Sequence, residues 1–359
     1  MHRECLLQIK PVGSSCNMNC SYCYVEPFKK KKINRMTLKL LEKVVSKYSE
    51  LDIENPTFSW HGGEPLLFGL ENMEKAMDLQ KKYFNGRGVV NLVQTNGTLI
   101  NLDMATFLAE NNFIVSVSLD GSAEVHDRNR KFGENGSFGR VMAGVDVLRS
   151  VGLNTSVIAT VTKENLEFSK EVFTFLVNQG FTSIKYSPVY DSNRDAFSIS
   201  SDEWFNYLSE VFDLWMGLAS TGIRVRELDE VIVWLKKDRL NLCATTGGCS
   251  KWMSVDPEGN IYPCEYLRSK FSYGNILCQN FCQIMTSSEF VEFGRLVSVP
   301  NIQCSECEFY DFCGNGCPAT RVDFEGNISY SGQYIYCNQR KRLYQKIKTD
   351  FEKILGHGI

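Results

Sequence analysis

Apolar residues in the first two thirds of the chain alternate between two spacings. Short runs rich in β-branched and aromatic residues are followed by segments with the spacing of an amphipathic helix, about 3.6 residues. The short runs predict strands at residues 6–10, 56–65, 89–97, 113–121, 153–162 and 181–190. The longer segments predict helices at residues 36–51, 70–84, 103–112, 137–152 and 167–180. Six such units predict an α/β fold, a parallel sheet with outer helices in a partial barrel, with active residues at the carboxyl ends of the strands.

The pattern changes after residue 200. Residues 201–240 predict a helical bridge, and beyond residue 243 the strands become short and Gly and Cys frequent. A hairpin is predicted at 254–264, with PEGN as its turn. We therefore expect four parts, which are a partial barrel (1–225), a bridge (226–242), a Cys-rich α+β domain (243–337) and a C-terminal helix (338–359).

Composition limits the classes of function. The chain of 359 residues is 43% hydrophobic with a formal net charge of −3, which predicts a large core and no nucleic-acid partner. It has no run of about 18 apolar residues for a membrane helix, and its N-terminal apolar patch is too short for a secretory signal. We expect a cytoplasmic protein without a membrane partner, in which most of the 14 cysteines bind metal as thiolates.

Three of the cysteines follow the first predicted strand directly. Cys16, Cys20 and Cys23 have the spacing C-x3-C-x2-C. Three thiolates on one loop can hold three irons of a [4Fe–4S] cube and leave the fourth iron open to another ligand. The alternative is a zinc knuckle completed by a distant fourth ligand.

A second group of cysteines lies in the C-terminal third. Eight of them form a pattern that suffices for two four-coordinate sites, with a pair of zinc ribbons as the alternative. These eight are Cys243, Cys249, Cys264, Cys304, Cys307, Cys313, Cys317 and Cys337. We expect the remaining three, Cys5, Cys278 and Cys282, to be ordinary thiols.

Further motifs stand at the predicted strand ends. His61-Gly62-Gly63-Glu64-Pro65 ends the second strand, residues 94–97 (QTNG) end the third and residues 118–121 (SLDG) end the fourth. Together with the C-x3-C-x2-C motif, this order resembles the radical S-adenosylmethionine (SAM) enzymes. The resemblance implies a partial (β/α)6 radical SAM barrel that cleaves SAM to methionine and a 5′-deoxyadenosyl radical, which abstracts a hydrogen atom from the substrate.

The same resemblance implies which residues contact SAM. Glu64 would hold the amino group, Arg130 the carboxylate, and Ser118 would face the ribose. The full set implied is Tyr24, Gly62, Gly63, Glu64, Asn96, Ser118, Arg130 and Tyr190.

The C-terminal cysteine pattern resembles the SPASM domain, the twin-cluster extension of peptide-modifying radical SAM enzymes. The resemblance implies three [4Fe–4S] clusters in all, two of them auxiliary and fully ligated for electron transfer. Auxiliary cluster I would be bound by Cys243, Cys249, Cys264 and Cys317. Auxiliary cluster II would be bound by Cys304, Cys307, Cys313 and Cys337. A flavodoxin- or ferredoxin-type protein would donate the electron.

The whole chain resembles the anaerobic sulfatase-maturating enzymes, which oxidise a Cys or Ser of a sulfatase to formylglycine. Three positions depart from that family, which has Asp for Glu265, Tyr for Val25 and Gln for His61. Because these positions are expected near the substrate, we predict a maturase of a ribosomally made peptide that forms a cross-link or an oxidised residue. Sulfatase maturation is the alternative. A peptide maturase would need a separate leader-binding protein or its own barrel surface, since only 15 residues precede Cys16.

Two functions from other classes remain open at this stage. A small-molecule radical SAM dehydrogenase would share the barrel, and an iron–sulfur electron carrier would share the cysteines without needing the SAM motifs. A genomic neighbour that encodes a sulfatase or a short precursor peptide would discriminate between the two maturase hypotheses.

Glu265 is the predicted catalytic base. It follows Cys264 directly and should lie between auxiliary cluster I and the mouth of the barrel, where burial would raise its pKa. The alternative is that Glu265 caps a turn or pairs with Arg268 on the surface. In that case Asp191 or His61 would be the next candidates for the proton acceptor.

Overall fold

The computed structural model describes residues 5–25, 33–190, 196–238, 243, 248–323, 325 and 329–356. The strands are β1 (Leu6–Ile9), β2 (Thr57–Trp60), β3 (Val90–Thr95), β4 (Ile114–Ser118), β5 (Lys131–Phe132), β6 (Asn135–Gly136), β7 (Ser156–Val161), β8 (Ser183–Pro188), β9 (Arg224–Val225), β10 (Trp252–Val255), β11 (Asn260–Tyr262), β12 (Gly274–Asn275), β13 (Arg321–Val322) and β14 (Gln333–Tyr334).

The helices alternate with the strands up to β9, and beyond it they range in length from 4 to 20 residues. They are α1 (Leu38–Ser49), α2 (Leu70–Phe84), α3 (Leu102–Glu110), α4 (Ala123–Asn129), α5 (Phe138–Ser150), α6 (Ser169–Asn178), α7 (Ser201–Met216), α8 (Arg226–Leu235), α9 (Phe281–Met285), α10 (Ser288–Ser298), α11 (Ile302–Ser305), α12 (Tyr310–Cys313) and α13 (Cys337–Gly356). Within the described residues, no helix is long and apolar enough to cross a membrane.

One large sheet organises the molecule, with the strand order β12-β11-β10-β1-β2-β3-β4-β7-β8-β9 among the described residues. Strands β1 to β4 and β7 to β9 are parallel to their neighbours, as the six β/α units predict. Their carboxyl ends therefore meet at one edge, where the predicted motifs stand. The predicted fold class is confirmed.

Local sequence explains why these elements form. The helix α1 begins after Thr37, whose side chain accepts a hydrogen bond from the amide of Leu40, and it buries Leu41, Val44 and Tyr48 on one face. In β3 and β7, every second side chain is buried against the outer helices. The other side chains point into the barrel, which is the face available to a ligand.

The Cys-rich domain continues the barrel sheet. Strand β10 pairs with β1 in parallel, with Leu6 opposite Trp252, and the predicted hairpin forms β10 and β11. The Cys-rich domain also contains the 11-residue helix α10 (Ser288–Ser298), which is not among the predicted helices. The predicted C-terminal helix is present as α13; residues 357–359 of that prediction and residues 239–242 of the bridge lie outside the described residues.

Candidate active site

The loop that carries the first three cysteines is held by the turn after β2. The amide of Gly63 donates to the carbonyl of Gly13 (2.9 Å), and the amide of Glu64 donates to the carbonyl of Ser15 (2.8 Å). A Cβ atom on Gly63 would lie 2.0 Å from the carbonyl oxygen of Ser15, so only glycine permits this approach. The loops predicted to hold a cluster and SAM therefore lie side by side.

The other side of the cysteine loop rests on the end of α4. The amide of Asn19 donates to the carbonyl of Lys131 (2.9 Å). The amide of Ser21 donates to the carbonyl of Asn129 (3.0 Å). Main-chain contacts on both sides thus fix the loop without using the cysteine side chains.

The three thiols on this loop form one group. Burial raises the pKa of Cys16 to about 12, and the charges of Cys20 and Cys23 act in the same direction. The amide of Met18 donates to the sulfur of Cys16 (3.4 Å). Three neighbouring sulfurs of this kind fit a cluster with one open iron, and binding of iron must displace their protons.

Glu64 is buried and joins the ends of β2 and β3. Its Oε1 atom accepts hydrogen bonds from the amide of Leu66 (3.0 Å) and the hydroxyl of Thr95 (2.8 Å), and Oε2 accepts one from the amide of Asn96 (2.7 Å). Burial raises the pKa of Glu64 to about 7, although these donors oppose the increase. Through them Glu64 positions Asn96, whose amide group donates to Asn17 (2.8 Å) on the cysteine loop.

A buried carboxylate at the end of β4 connects the cysteine loop with Arg130. The Oδ2 atom of Asp120 accepts hydrogen bonds from the hydroxyl of Tyr22 (2.6 Å) and from Nε of Arg130 (2.9 Å). Its Oδ1 atom accepts one from the amide of Thr160 (2.9 Å) in β7. No role was predicted for Asp120 or Tyr22, although Asp120 lies in the SLDG motif. The available signal was a carboxylate shortly after a buried strand.

The remaining predicted SAM contacts stand near this edge of the sheet. Ser118 is the last residue of β4 and is buried, and the half-buried Tyr190 follows β8. Tyr24 stacks on Tyr266 of the Cys-rich domain, with 4.3 Å between ring centroids. Gly62 adopts a φ of +128°, and a Cβ there would lie 2.6 Å from the carbonyl oxygen of Gly13. The assignment of these residues to SAM stays a prediction.

Glu265 lies in a buried ion-pair network. Its carboxylate pairs with the ammonium of Lys10, the residue after β1, and with Arg268 at 3.3 Å. The hydroxyl of Tyr262 donates to the same carboxylate (3.5 Å). The pairing with Arg268 that the alternative supposed is present, but Glu265 and Lys10 are both more than nine-tenths buried, so it does not lie on the surface. Glu265 therefore connects the first barrel strand with the loop of a predicted cluster ligand.

His61 is a poor proton acceptor in this structure. Its Nδ1 atom accepts a hydrogen bond from the amide of Gly62 (2.7 Å), which leaves the proton on Nε2, 3.0 Å from the side-chain oxygen of Gln94. Burial, together with the charges of Lys10 and Lys185, lowers the pKa of His61 to about 3. The other reserve candidate, Asp191, lies outside the described residues.

The C-terminal cysteines gather in the two sets that the resemblance implies. Cys304, Cys307, Cys313 and Cys337 line one small cavity. The thiol of Cys243 contacts that of Cys249, and the charges of Cys264 and Cys317 act on this pair. Within the described part of the chain, no group of three or more His, Cys, Asp or Glu side chains is suited to a single metal ion. Cysteines spread around a cavity suit a cube of four irons.

Comparisons with known proteins decide the family. The radical SAM superfamily model matches residues 11–176, and the SPASM model, an iron-sulfur cluster-binding domain, matches residues 243–308. A serine-type anaerobic sulfatase-maturating enzyme of Bacteroides thetaiotaomicron is 31% identical over 365 residues, covering 92% of this chain and 88% of that protein. This chain belongs to the family of the anaerobic sulfatase-maturating enzymes. It is therefore a radical SAM enzyme, with SAM and auxiliary iron–sulfur clusters as cofactors.

Other members of the family are similar over the same extent. A cysteine-type anaerobic sulfatase-maturating enzyme of Clostridium novyi is 29% identical over 354 residues, covering 94% of both chains. The solved structure of native anSMEcpe with bound AdoMet superposes with a TM-score of 0.87 at 26% identity, covering 98% of both chains. Streptococcus suis SuiB bound to S-adenosylmethionine, at 14% identity and a TM-score of 0.66, shares the fold alone.

The predicted function, a maturase that cross-links or oxidises a residue of a ribosomally made peptide, is wrong. Similarity to sulfatase-maturating enzymes extends along nearly the whole chain and supports the alternative. That prediction rested on three side chains, those of Val25, His61 and Glu265. A family tolerates such single replacements within one scaffold, because the surrounding main chain still positions the site.

Proposed function

We propose that this enzyme oxidises a Ser or Cys side chain of a sulfatase to formylglycine. The observation that carries the proposal is the similarity to serine-type and cysteine-type sulfatase-maturating enzymes over more than nine-tenths of the chain. The two types match at 31% and 29% identity, a difference too small to choose between Ser and Cys as the residue oxidised.

Several side chains at the carboxyl edge of the sheet would hold SAM. When bound at the open iron, SAM supplies a 5′-deoxyadenosyl radical that removes a hydrogen atom from the substrate. The guanidinium of Arg130, fixed by Asp120, would hold the SAM carboxylate. Asn96, positioned by Glu64, and Ser118 would contact the rest of the molecule.

The oxidation must also dispose of a second electron and a second proton. A Ser side chain loses two hydrogens when its CH2–OH group becomes an aldehyde. A Cys side chain loses the same two to give a thioaldehyde, which water converts to the aldehyde with release of hydrogen sulfide. One hydrogen atom would be removed by the chemistry that SAM supplies, the remaining electron would pass to clusters held by the C-terminal cysteines, and a base must take the remaining proton. Glu265 is our candidate for this base, because its buried carboxylate directly follows the predicted cluster I ligand Cys264 and contacts Lys10 at the end of the first barrel strand.

A peptide segment of the sulfatase would enter at this edge. Native anSMEcpe has been solved with AdoMet and the Cp18Cys peptide bound, and that structure superposes with a TM-score of 0.86 over 98% of this chain. We propose a flavodoxin- or ferredoxin-type protein as the electron donor. A leader-binding protein follows only from the rejected peptide-maturase hypothesis and has no place in this proposal.

The deciding experiment uses short sulfatase peptides that differ only in Ser or Cys at the modified position. The anaerobically reconstituted enzyme should hold about twelve irons as three cubes and convert at least one peptide to the aldehyde, detected by mass spectrometry and hydrazide capture.

The control is the triple variant Cys16→Ala, Cys20→Ala, Cys23→Ala. It should keep about eight irons and form neither aldehyde nor 5′-deoxyadenosine. If the wild-type enzyme cleaves SAM but leaves both peptides unchanged, sulfatase maturation is not its function.

A further inference from the structure

The cavity lined by the auxiliary cluster II cysteines contains a buried positive charge. Arg340, in the first turn of α13, is 8% exposed and faces this cavity. Its Nη1 atom donates a hydrogen bond to the sulfur of Cys313 at 3.3 Å. A guanidinium stays protonated at any working pH, so this charge is permanent.

Tyr334 holds Arg340 in this position. The guanidinium carbon lies 4.2 Å from the centre of the Tyr334 ring, a cation–π distance. A Cβ atom on Gly316 would lie 2.5 Å from the same ring, so the ring packs closely on the main chain next to Cys317. Arg340 is thus held between Cys313, a predicted cluster II ligand, and the main chain that precedes Cys317, a predicted cluster I ligand.

The predicted auxiliary cluster I has a different electrostatic environment. The sulfurs of Cys264 and Cys317 accept hydrogen bonds from main-chain amides, and the charges of Arg321 and Arg340 act on Cys317 through space without a hydrogen bond to its sulfur. The cations that act on Cys243 are Lys185 and Arg226. The positive charge of Lys185 is partly offset by the nearby carboxylates of Glu227 and Glu230.

We propose that Arg340 raises the reduction potential of auxiliary cluster II and so makes it the preferred acceptor for an electron removed from the substrate. One-electron reduction adds a negative charge to the cluster and its sulfurs. A cation that donates to a ligand sulfur stabilises that reduced state more than the oxidised state. The proposal rests on the cluster assignment and on the electron transfer in the proposed function, but it can be tested without any substrate.

The experiment is an EPR-monitored redox titration of the full-length enzyme in the triple Ala background, which lacks the radical-site cluster. We expect two reduction steps in the parent. In Arg340→Met, the equilibrium constant for one step should fall about tenfold, which is 59 mV for a one-electron couple. Arg340→Lys, which keeps the charge, should recover part of the shift. The matched control is Arg342→Met, which removes an exposed guanidinium from the same helix and should leave both steps unchanged.

Two outcomes would overturn the proposal. The first is an Arg340→Met protein with about eight irons in which both steps keep the potentials of the parent. If Arg340→Met loses iron, Arg340→Gln, which keeps a neutral donor, is titrated in its place with the same expectation. The second outcome is the loss of four irons from both Arg340→Met and Arg340→Gln. Arg340 would then be needed only for the assembly of auxiliary cluster II. Neither result bears on peptide oxidation, so the proposed function is judged separately.

Discussion

The hydroxyl of Tyr22 donates a 2.6 Å hydrogen bond to the buried carboxylate of Asp120. Tyr22 lies between two cluster ligands of the C-x3-C-x2-C motif, and Asp120 also forms an ion pair with Arg130. The cluster loop and the proposed SAM carboxylate site therefore share one acceptor. Changes at Asp120 should affect both.

Asp120→Asn should weaken SAM binding about tenfold, because Arg130 loses the charged partner that orients it. Titration calorimetry on the reconstituted enzyme measures the affinity. Tyr22→Phe is the control, since it removes one hydrogen bond from Asp120 and leaves the Arg130 ion pair. An Asp120→Asn enzyme with full iron and unchanged SAM affinity would show that Arg130 does not need Asp120.

Glu265→Gln should retain all clusters and 5′-deoxyadenosine formation while aldehyde product falls about 10²-fold, the scale of general-base catalysis. The change keeps size and hydrogen-bonding capacity but removes the charge. Arg268→Gln disturbs the same ion-pair network while keeping the carboxylate, and it should retain most of the product. Near wild-type product from Glu265→Gln would leave this residue with a structural role opposite Lys10.

Gly63→Ala should abolish SAM cleavage and lower the iron content by about four atoms, one cube. The added methyl group would collide with the carbonyl of Ser15 and push the SAM loop away from the cluster loop. Gly139→Ala, in an open position of α5, should leave the iron content and activity unchanged and add a little helix stability. Iron analysis together with 5′-deoxyadenosine yield tests both, and a fully loaded, active Gly63→Ala enzyme would contradict the packing argument.

His126 should make the fold sensitive to mild acid. It is buried, with Nδ1 accepting from the amide of Asp120 (3.2 Å) and Nε2 2.8 Å from the hydroxyl of Ser137. Burial lowers its pKa from 6.5 to about 4, so between these values the unfolded chain binds a proton that the folded protein does not. Stability should therefore fall as the pH drops from 6.5 towards 4, by on the order of 3 kcal/mol.

Melting temperatures of the wild-type protein and of His126→Gln, recorded between pH 7 and pH 5 at one scan rate, measure this effect. Gln cannot be protonated, so the variant should lose less stability than the wild-type protein over this interval. Equal slopes for the two proteins would assign the acid sensitivity to other groups.

Local pattern predicted the elements and the ligands because both have short-range signals. Strand ends followed from periodicity and from the turn residues behind them, and the cluster cysteines followed from their spacing. The partners of buried charges had no such signal. Lys10 forms an ion pair with Glu265, a residue far away in the sequence. Arg321 donates to five main-chain carbonyl groups of the Cys-rich domain. Such contacts depend on how distant segments fold together, which periodicity does not record.

The substrate class was also misjudged for a physical reason. The exchanges at His61 and Glu265 change chemistry at single positions, yet both side chains are held by neighbours that the fold supplies, Gln94 for one and Lys10 for the other. Residue identity alone did not show that the surrounding scaffold was retained.

The pairing of Leu6 with Trp252 bears on how the protein is made. The strand that carries the radical-site loop, β1, is synthesised well before β10, which is one of its two neighbours in the sheet. Until then, one edge of β1 presents unpaired amide and carbonyl groups, a template for association with other chains. Nascent or truncated chains that end before Trp252 therefore carry an aggregation hazard at the segment that must receive iron.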